Sequence, residues 1–197
     1  MMRRIALLLL LLFLPIPADA HLVSTGFGSY YDGMEHFVFT PADWLFVLAI
    51  GLLAGLSGAA AGRVTLVALP MGWVAGGFLG MLWPGTGDWP LTLILSFGVV
   101  GLLVSLDRKL PPLLAGALAV VLGAMHGFLN GTSMSGGDRT WLAILGVGSA
   151  VFVLATVVPA IVVSLRPAWT KIAVRVLGSW IAAVGLLMLG WLMRGKV

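Results

Sequence analysis

Long apolar segments recur through this chain, and they constrain its fold more than any other feature. A bilayer core of about 30 Å needs roughly 20 apolar residues per spanning helix. Soluble domains rarely contain such runs, whereas here 60% of the residues are hydrophobic and only 9% are charged. We therefore predict an all-α integral membrane protein built as a six-helix transmembrane bundle. The six predicted spans are residues 41–61, 64–83, 90–106, 113–129, 141–165 and 172–193.

The first 20 residues have the three parts of a secretory signal peptide. Arg3 and Arg4 precede the apolar run 5–14, which is too short to span a bilayer, and Ala18-Asp19-Ala20 forms a small-x-small cleavage site. Cleavage there would make His21 the first residue of the mature protein. The predicted organisation is a signal peptide at 1–20, an extracytoplasmic leader at 21–40 that is partly ordered at most, and a transmembrane domain at 41–197.

Basic residues predict how the chain is oriented in the membrane. They concentrate in alternate joints between the spans, at Arg63, at Arg108-Lys109, and at Arg166 and Lys171. The positive-inside rule places these joints in the cytoplasm, which agrees with a secreted amino terminus. We therefore expect a multi-pass protein of the inner (plasma) membrane with its mature amino terminus in the periplasm. The net charge of +4 therefore reflects the orientation of the chain in the membrane and does not indicate nucleic-acid binding. The expected partner is the lipid bilayer.

Glycine recurs at four-residue spacing within several predicted spans. One face of such a helix lacks side chains, so a neighbouring helix can approach closely. These series predict a compact bundle. They are Gly51 and Gly55, Gly58 and Gly62, and Gly72, Gly76 and Gly80.

The three histidines of the chain are the main clue to chemistry. His21 and His36 lie in the leader and His126 lies near the outward end of the fourth span, so the predicted topology brings all three towards one side of the membrane. Imidazole is the commonest metal ligand, and a histidine within an apolar span is costly unless it is paired or functional. His126 and Asn130 are four residues apart and share one helix face. A hydrogen bond to a neighbouring helix is the alternative role for His126, and Asn130-Gly131 is also a natural helix stop.

The carboxylates Glu35 and Asp43 stand close to His36 in the sequence. Thr40-Pro41-Ala42-Asp43 is typical of a helix start, in which Thr40 caps, Pro41 fits the first turn and a carboxylate suits the helix dipole. A structural role is therefore open for Asp43 beside a ligand role. Glu35 and His36 are either a solvated polar pair or a pair that captures a metal ion.

Several classes of chemistry find no support in the sequence. There is no cysteine, so disulfides and thiolate metal sites are excluded. No phosphate-binding loop, Ser-His-Asp set, zinc-protease motif or pair of catalytic carboxylates is recognisable. We expect no enzyme activity and no prosthetic group.

Two segments resemble the motifs of the HupE/UreJ family of nickel and cobalt membrane proteins, the hydrogenase and urease accessory permeases. The family's first-helix motif, His, five residues, Asp, His, falls on His36, Ala42 and Asp43. Its fourth-helix motif, His-Gly-x-x-His-Gly-x-Glu, falls on His126, Gly127, Asn130, Gly131 and Ser133. Of the polar motif positions, the chain keeps only the two histidines.

The resemblance implies that the chain binds a divalent transition metal, Ni(II) or Co(II), on its outward side and mediates its uptake. The metal ligands would be His36, Asp43, His126 and Asn130, with His21 and Glu35 assisting capture. One alternative is a non-transporting accessory or assembly protein of a larger membrane complex. Another is copper bound by His21 at the mature amino terminus.

Overall fold

The structure is a computed structural model that describes residues 25–86, 89–137 and 139–195. These residues form seven α-helices and no strands, so the all-α prediction is confirmed. The signal peptide, its cleavage site and His21 lie outside the described residues. The helices are α1 (Ser29–Phe39), α2 (Pro41–Ser57), α3 (Ala59–Gly80), α4 (Pro90–Ser105), α5 (Pro112–Met134), α6 (Thr140–Ser164) and α7 (Ala168–Arg194).

The segment expected to be a partly ordered leader contains helix α1. Its 11 residues end at Phe39, where the chain bends by 77° into α2. The bend is at Thr40, whose backbone is extended, because Pro41 disfavours a helical conformation in the residue before it. This part of the predicted leader is ordered and packs against α6, and its extracytoplasmic location stays a prediction.

Four of the helices, α3, α5, α6 and α7, are long and apolar enough to cross a bilayer, and the bent pair α1 and α2 makes a fifth candidate. Helix α4 is apolar but has only 16 residues. The chain is therefore a multi-pass membrane protein, and its count of six spans remains a prediction. The first predicted span continued to residue 61, whereas the structure breaks it at Gly58, whose φ of 106° favours glycine.

Interlocked glycines bring α3 and α5 into backbone contact. A Cβ added at Gly76 would collide with the carbonyl of Ala124, and one added at Gly127 would collide with the carbonyl of Trp73. Equivalent contacts repeat one turn away on each side, so the glycine series acts as a packing face, as predicted. The two helices run in the same direction, and Trp73 and His126 meet where they touch.

Helix α5 does not stop at the Asn130-Gly131 pair. It continues to Met134, because Gly131 packs against the backbone of Gly77 instead of taking a left-handed conformation. The helix-stop interpretation of Asn130 was therefore wrong. The extra turn leaves Asn130 inside a regular helix, with its side chain turned into the core.

Candidate functional site

Polar side chains from three helices meet inside the bundle. They are Asp43 in the first turn of α2, Ser96 in α4, and His126 and Asn130 on one face of α5. None of the four is more than 6% exposed. Buried polar groups are costly in an apolar bundle unless they are paired, so this cluster is the clearest candidate site among the described residues.

Asp43 is the centre of the cluster. Its Oδ1 lies 2.7 Å from Nδ1 of His126, and its Oδ2 accepts a hydrogen bond of 2.9 Å from Nδ2 of Asn130. Because His126 and Asn130 are four residues apart on α5, each of them contacts a different oxygen of the same Asp43 carboxylate. His126 and Asn130 share a face, as the sequence predicted.

The start of α2 explains how Asp43 reaches this position. Thr40 and Pro41 occupy the N-cap and first helical positions, as predicted, but the Thr40 hydroxyl donates to the carbonyl of His36 instead of capping the helix. The Asp43 side chain likewise makes no cap bond and points into the bundle. The capping interpretation of Thr40 was therefore wrong, whereas Asp43 does lie in the first turn of α2, as predicted, with its carboxylate bonded to α5.

Aromatic rings surround the imidazole of His126. The Phe46 ring stacks on it with centroids 4.3 Å apart and an interplanar angle of 11°, and the Trp73 ring lies at 5.3 Å. All three side chains are fully buried. Aromatic faces favour a nearby positive charge, so this cage suits either a protonated imidazole or a cation held at its edge.

Ser96 completes a hydrogen-bonded chain that ends on α4. Its Oγ lies 2.8 Å from Nε2 of His126 and donates to the carbonyl of Leu93 at 2.7 Å. A hydroxyl has one proton, so both bonds form together only when Nε2 carries a proton and Ser96 accepts it. A second proton then lies between Nδ1 and Asp43, and the pair has no net charge. A neutral pair is the form that an apolar interior tolerates best.

The order Ser96, His126, Asp43 is that of the catalytic chain in serine hydrolases. Sequence reasoning recognised no such set, because the three residues come from three separate helices. In this arrangement the Ser96 proton is committed to Leu93 and the side chains are buried, so a substrate carbonyl cannot approach the Oγ atom. The geometry therefore holds a proton and positions a ring, and it does not present a nucleophile.

Two polar atoms beside this chain lack hydrogen-bond partners among the described residues. They are Oδ1 of Asn130 and Nε1 of Trp73. A buried polar atom without a partner is costly, and its presence in a native structure calls for an explanation such as a bound ion or water. The Asn130 oxygen is an acceptor next to the Asp43 carboxylate, which is the chemistry that a cation needs.

A comparison with protein-family models matches residues 8–188 to the family described as HupE / UreJ protein. The match extends over both segments that resemble the family's motifs. This chain belongs to the HupE/UreJ family. Neither the search of curated proteins nor the search of solved structures found a significant match.

The HupE/UreJ-like segments contribute unequally to the cluster. Asp43, His126 and Asn130 all join it, whereas Ala42 packs against the hydrophobic core. Ser133 is exposed and donates to the carbonyl of Asn130 in its own helix, so the position of the family's glutamate lies outside the cluster.

The remaining candidate ligands lie around the cluster or outside the described residues. His36 is half-buried on α1, four residues before the bend into α2. Glu35 has a buried oxygen, Oε2, without a hydrogen-bond partner. Across the described ranges, no three His, Asp or Glu side chains are grouped so that they could hold a metal ion.

Ser96 is the member of the cluster that sequence reasoning missed. A serine in an apolar helix commonly bonds to its own helix, as Ser105 does in α4 through the carbonyl of Leu102. Ser96 makes the same kind of bond to Leu93, and only the position of α5 gives it a second partner. No pattern in the sequence distinguishes the two serines.

Proposed function

We propose that this HupE/UreJ-family protein binds Ni(II) or Co(II) at the Asp43, His126 and Asn130 cluster and mediates uptake of the ion across the membrane. The observation that carries the proposal is the buried hydrogen-bonded set itself, which joins the two motif-like segments of the family inside the core. Imidazole nitrogen with carboxylate and amide oxygen is a donor set suited to these borderline ions.

Ion binding would require the hydrogen-bonded chain to open. Both nitrogens of His126 have partners in this structure, Asp43 at Nδ1 and Ser96 at Nε2. A metal ion would bind Nδ1 in place of its proton and of the bond to Asp43, while Ser96 keeps its bond to Nε2. The unpartnered Oδ1 of Asn130 would then supply an oxygen donor without breaking another contact.

The outward route would begin at α1 and the leader. His36 and Glu35 are adjacent on α1, the helix that leads through the bend at Thr40 to Asp43 in α2. These two side chains would capture the ion and pass it to the cluster, with His21 assisting at the mature amino terminus. This route fits a periplasmic amino terminus in the inner membrane, with the cluster near the outward ends of its helices.

Movement of the ion would be facilitated diffusion or simple exchange. The sequence has no nucleotide-binding motif, and the cluster is buried, so passage would depend on helix movements that expose it to either side. The buried cluster would then be the closed conformation of a transporter that also has open conformations.

Uptake of radioactive nickel or cobalt into proteoliposomes tests this proposal. We expect wild type to take up the ion and His126→Ala to lose uptake while still inserting into the membrane. Thr156→Ala is a suitable control, because its hydroxyl bonds only its own helix, at the carbonyl of Phe152, away from the cluster. Unchanged uptake by His126→Ala would refute the assignment.

A non-transporting accessory or assembly role is the second candidate. The observation in its favour is that both ring nitrogens of His126 and both oxygens of Asp43 already have protein partners, as a purely structural cluster would. Helix α7 also exposes Trp180 and Trp191, which could contact a larger membrane complex. A transporter would change cellular nickel content on its own, whereas an accessory protein would change it only when its partner is present.

A further inference from the structure

A polar cavity of about 210 Å³ lies at the end of the bundle opposite the Asp43 cluster. It is formed where α2, α6 and α7 meet the joint between α4 and α5. Lys109 and Asp107 line it from that joint, and Lys171 lines it from the first turns of α7. The proposed metal route makes no use of these three side chains.

The charged side chains around the cavity do not form ion pairs with one another. The ion pair between His126 and Asp43 is the only one in the part of the chain that the structure describes, so neither lysine has a carboxylate partner there. Oδ1 of Asp107 is buried without a hydrogen bond. Both lysines are exposed at the cavity. A ligand with negative charge for the two ammonium groups and a hydrogen-bond donor for Asp107 would therefore complement it.

An apolar groove of about 380 Å³ adjoins the cavity at Val163, which lines both. It runs between α3 and α6 and is lined largely by small residues. Arg63, in the first turns of α3, also lines it. On α6 the lining extends from Ala155 to Ser164, a length of about 14 Å along the helix axis. That is about half of a bilayer core of roughly 30 Å, the depth that one acyl chain occupies.

We propose that the cavity and the groove together bind one anionic glycerophospholipid. The phosphate lies between Lys109 and Lys171, a headgroup hydroxyl donates to Asp107, and one acyl chain occupies the groove beside Arg63. Phosphatidylglycerol has this combination of a phosphate and free hydroxyl groups. A headgroup with a positive charge fits less well, because the basic side chains at this end outnumber Asp107, the one acidic side chain described there. These basic residues are Arg63, Arg108, Lys109, Arg166, Lys171 and Arg175.

Lipid titration of the full-length protein, purified and delipidated in detergent, tests this site by native mass spectrometry. The lipids are dioleoylphosphatidylglycerol and dioleoylphosphatidylcholine, which have the same chains, and inorganic phosphate is the probe without chains. We expect phosphatidylglycerol to bind at least about tenfold more tightly than either of the others. Equal affinity for the two lipids, or for inorganic phosphate, would overturn the proposal.

Variants locate the binding to this cavity. Lys109→Gln combined with Lys171→Gln should weaken phosphatidylglycerol binding by about 30-fold, since each basic side chain near an anionic lipid contributes about a factor of five. Arg139→Gln combined with Arg194→Gln removes the same charge from exposed residues at the opposite end and should change the affinity less than about threefold. Equal effects of the two pairs would refute the site.

A separate variant tests the groove, and its result does not depend on whether the double lysine variant folds. Ala160 is exposed in the groove lining, so Ala160→Phe fills the groove without entering the core. This change should weaken phosphatidylglycerol binding and leave the weak binding of inorganic phosphate unchanged. Lipid binding at wild-type affinity would show that the chain does not lie in the groove and would overturn the proposal.

Discussion

Nδ1 of His126 lies 2.7 Å from Oδ1 of Asp43, although 83 residues separate the two in the chain. The contact joins the start of α2 to the C-terminal half of α5 inside the bundle. It also unites the two segments in which the chain resembles the HupE/UreJ motifs. The contact is thus both a tie between helices and the core of the proposed metal site.

The Asp43 and His126 side chains should be strongly coupled in stability. Asp43→Ala and His126→Ala each leave a buried partner unpaired and should cost about 3–5 kcal/mol of unfolding free energy. The double variant should cost about 1–3 kcal/mol less than the sum, because it removes both partners. Denaturation of the four proteins in mixed micelles measures this difference. Additive costs would show that the two side chains do not interact.

Ser96 should act on metal affinity by holding the His126 ring. Ser96→Ala leaves Nε2 without a partner and should lower Ni(II) affinity by about tenfold, as the loss of an outer hydrogen-bond partner does at metal sites. Ser96→Thr retains the hydroxyl and should restore most of the affinity. Ser105→Ala is the matched control, because Ser105 makes the same bond within α4 without a histidine partner. Equal affinities for Ser96→Ala and Ser105→Ala in a nickel titration would contradict this role.

Asn130→His should strengthen metal binding. The change places an imidazole beside Asp43 and His126 and restores the family's residue at this motif position, so the cluster gains a third strong donor. We expect Ni(II) affinity to rise by at least about tenfold, measured by isothermal titration. Asn130→Leu is a control of similar size without a donor, and it should lower the affinity. A nickel affinity for Asn130→His no higher than that of wild type would count against Asn130 as a ligand position.

The contact between α3 and α5 should be intolerant of even one added carbon atom. Gly76→Ala forces a Cβ against the carbonyl of Ala124 and should cost about 1–3 kcal/mol of unfolding free energy. Gly190→Ala on α7 meets no atom within 4 Å and should be neutral or stabilising by less than about 1 kcal/mol. Thermal unfolding of the two variants in detergent provides the comparison. Similar melting temperatures would mean that these helices are not closely packed.

The sequence predicted those parts of the molecule that depend on local periodicity. The apolar runs predicted the ends of α2 to α7 to within five residues, because a bilayer leaves the backbone few alternatives to a helix. The spacing of His126 and Asn130 correctly placed both on one face of α5. The series Gly72, Gly76 and Gly80 correctly indicated a close helix contact, whereas Gly58 breaks the helix and a Cβ there would meet no atom within 4 Å.

The parts that the sequence did not predict depend on which helices are neighbours. Ser96 joins the cluster only because it meets His126 of α5, and no pattern in the sequence predicts which helices are neighbours. Asn130-Gly131 resembled a helix stop, but packing of Gly131 on Gly77 keeps the helix regular. Thr40 fitted a helix cap, yet its hydroxyl donates to the carbonyl of His36 on the preceding helix.

Equilibrium binding of Ni(II) and Co(II) to the purified protein is the most direct test of the central claim, that the Asp43, His126 and Asn130 cluster holds a divalent metal. Elemental analysis and titration should be made on wild type, on His126→Gln, which is closer in size to histidine than alanine is, and on Ser105→Ala as the control. We predict near-stoichiometric binding of one ion to wild type and to the control. In His126→Gln the affinity should fall by more than about 100-fold, beyond the cost of losing an outer hydrogen bond. No binding to wild type, or equal binding to His126→Gln, would contradict the claim and leave the cluster a structural tie between α2 and α5.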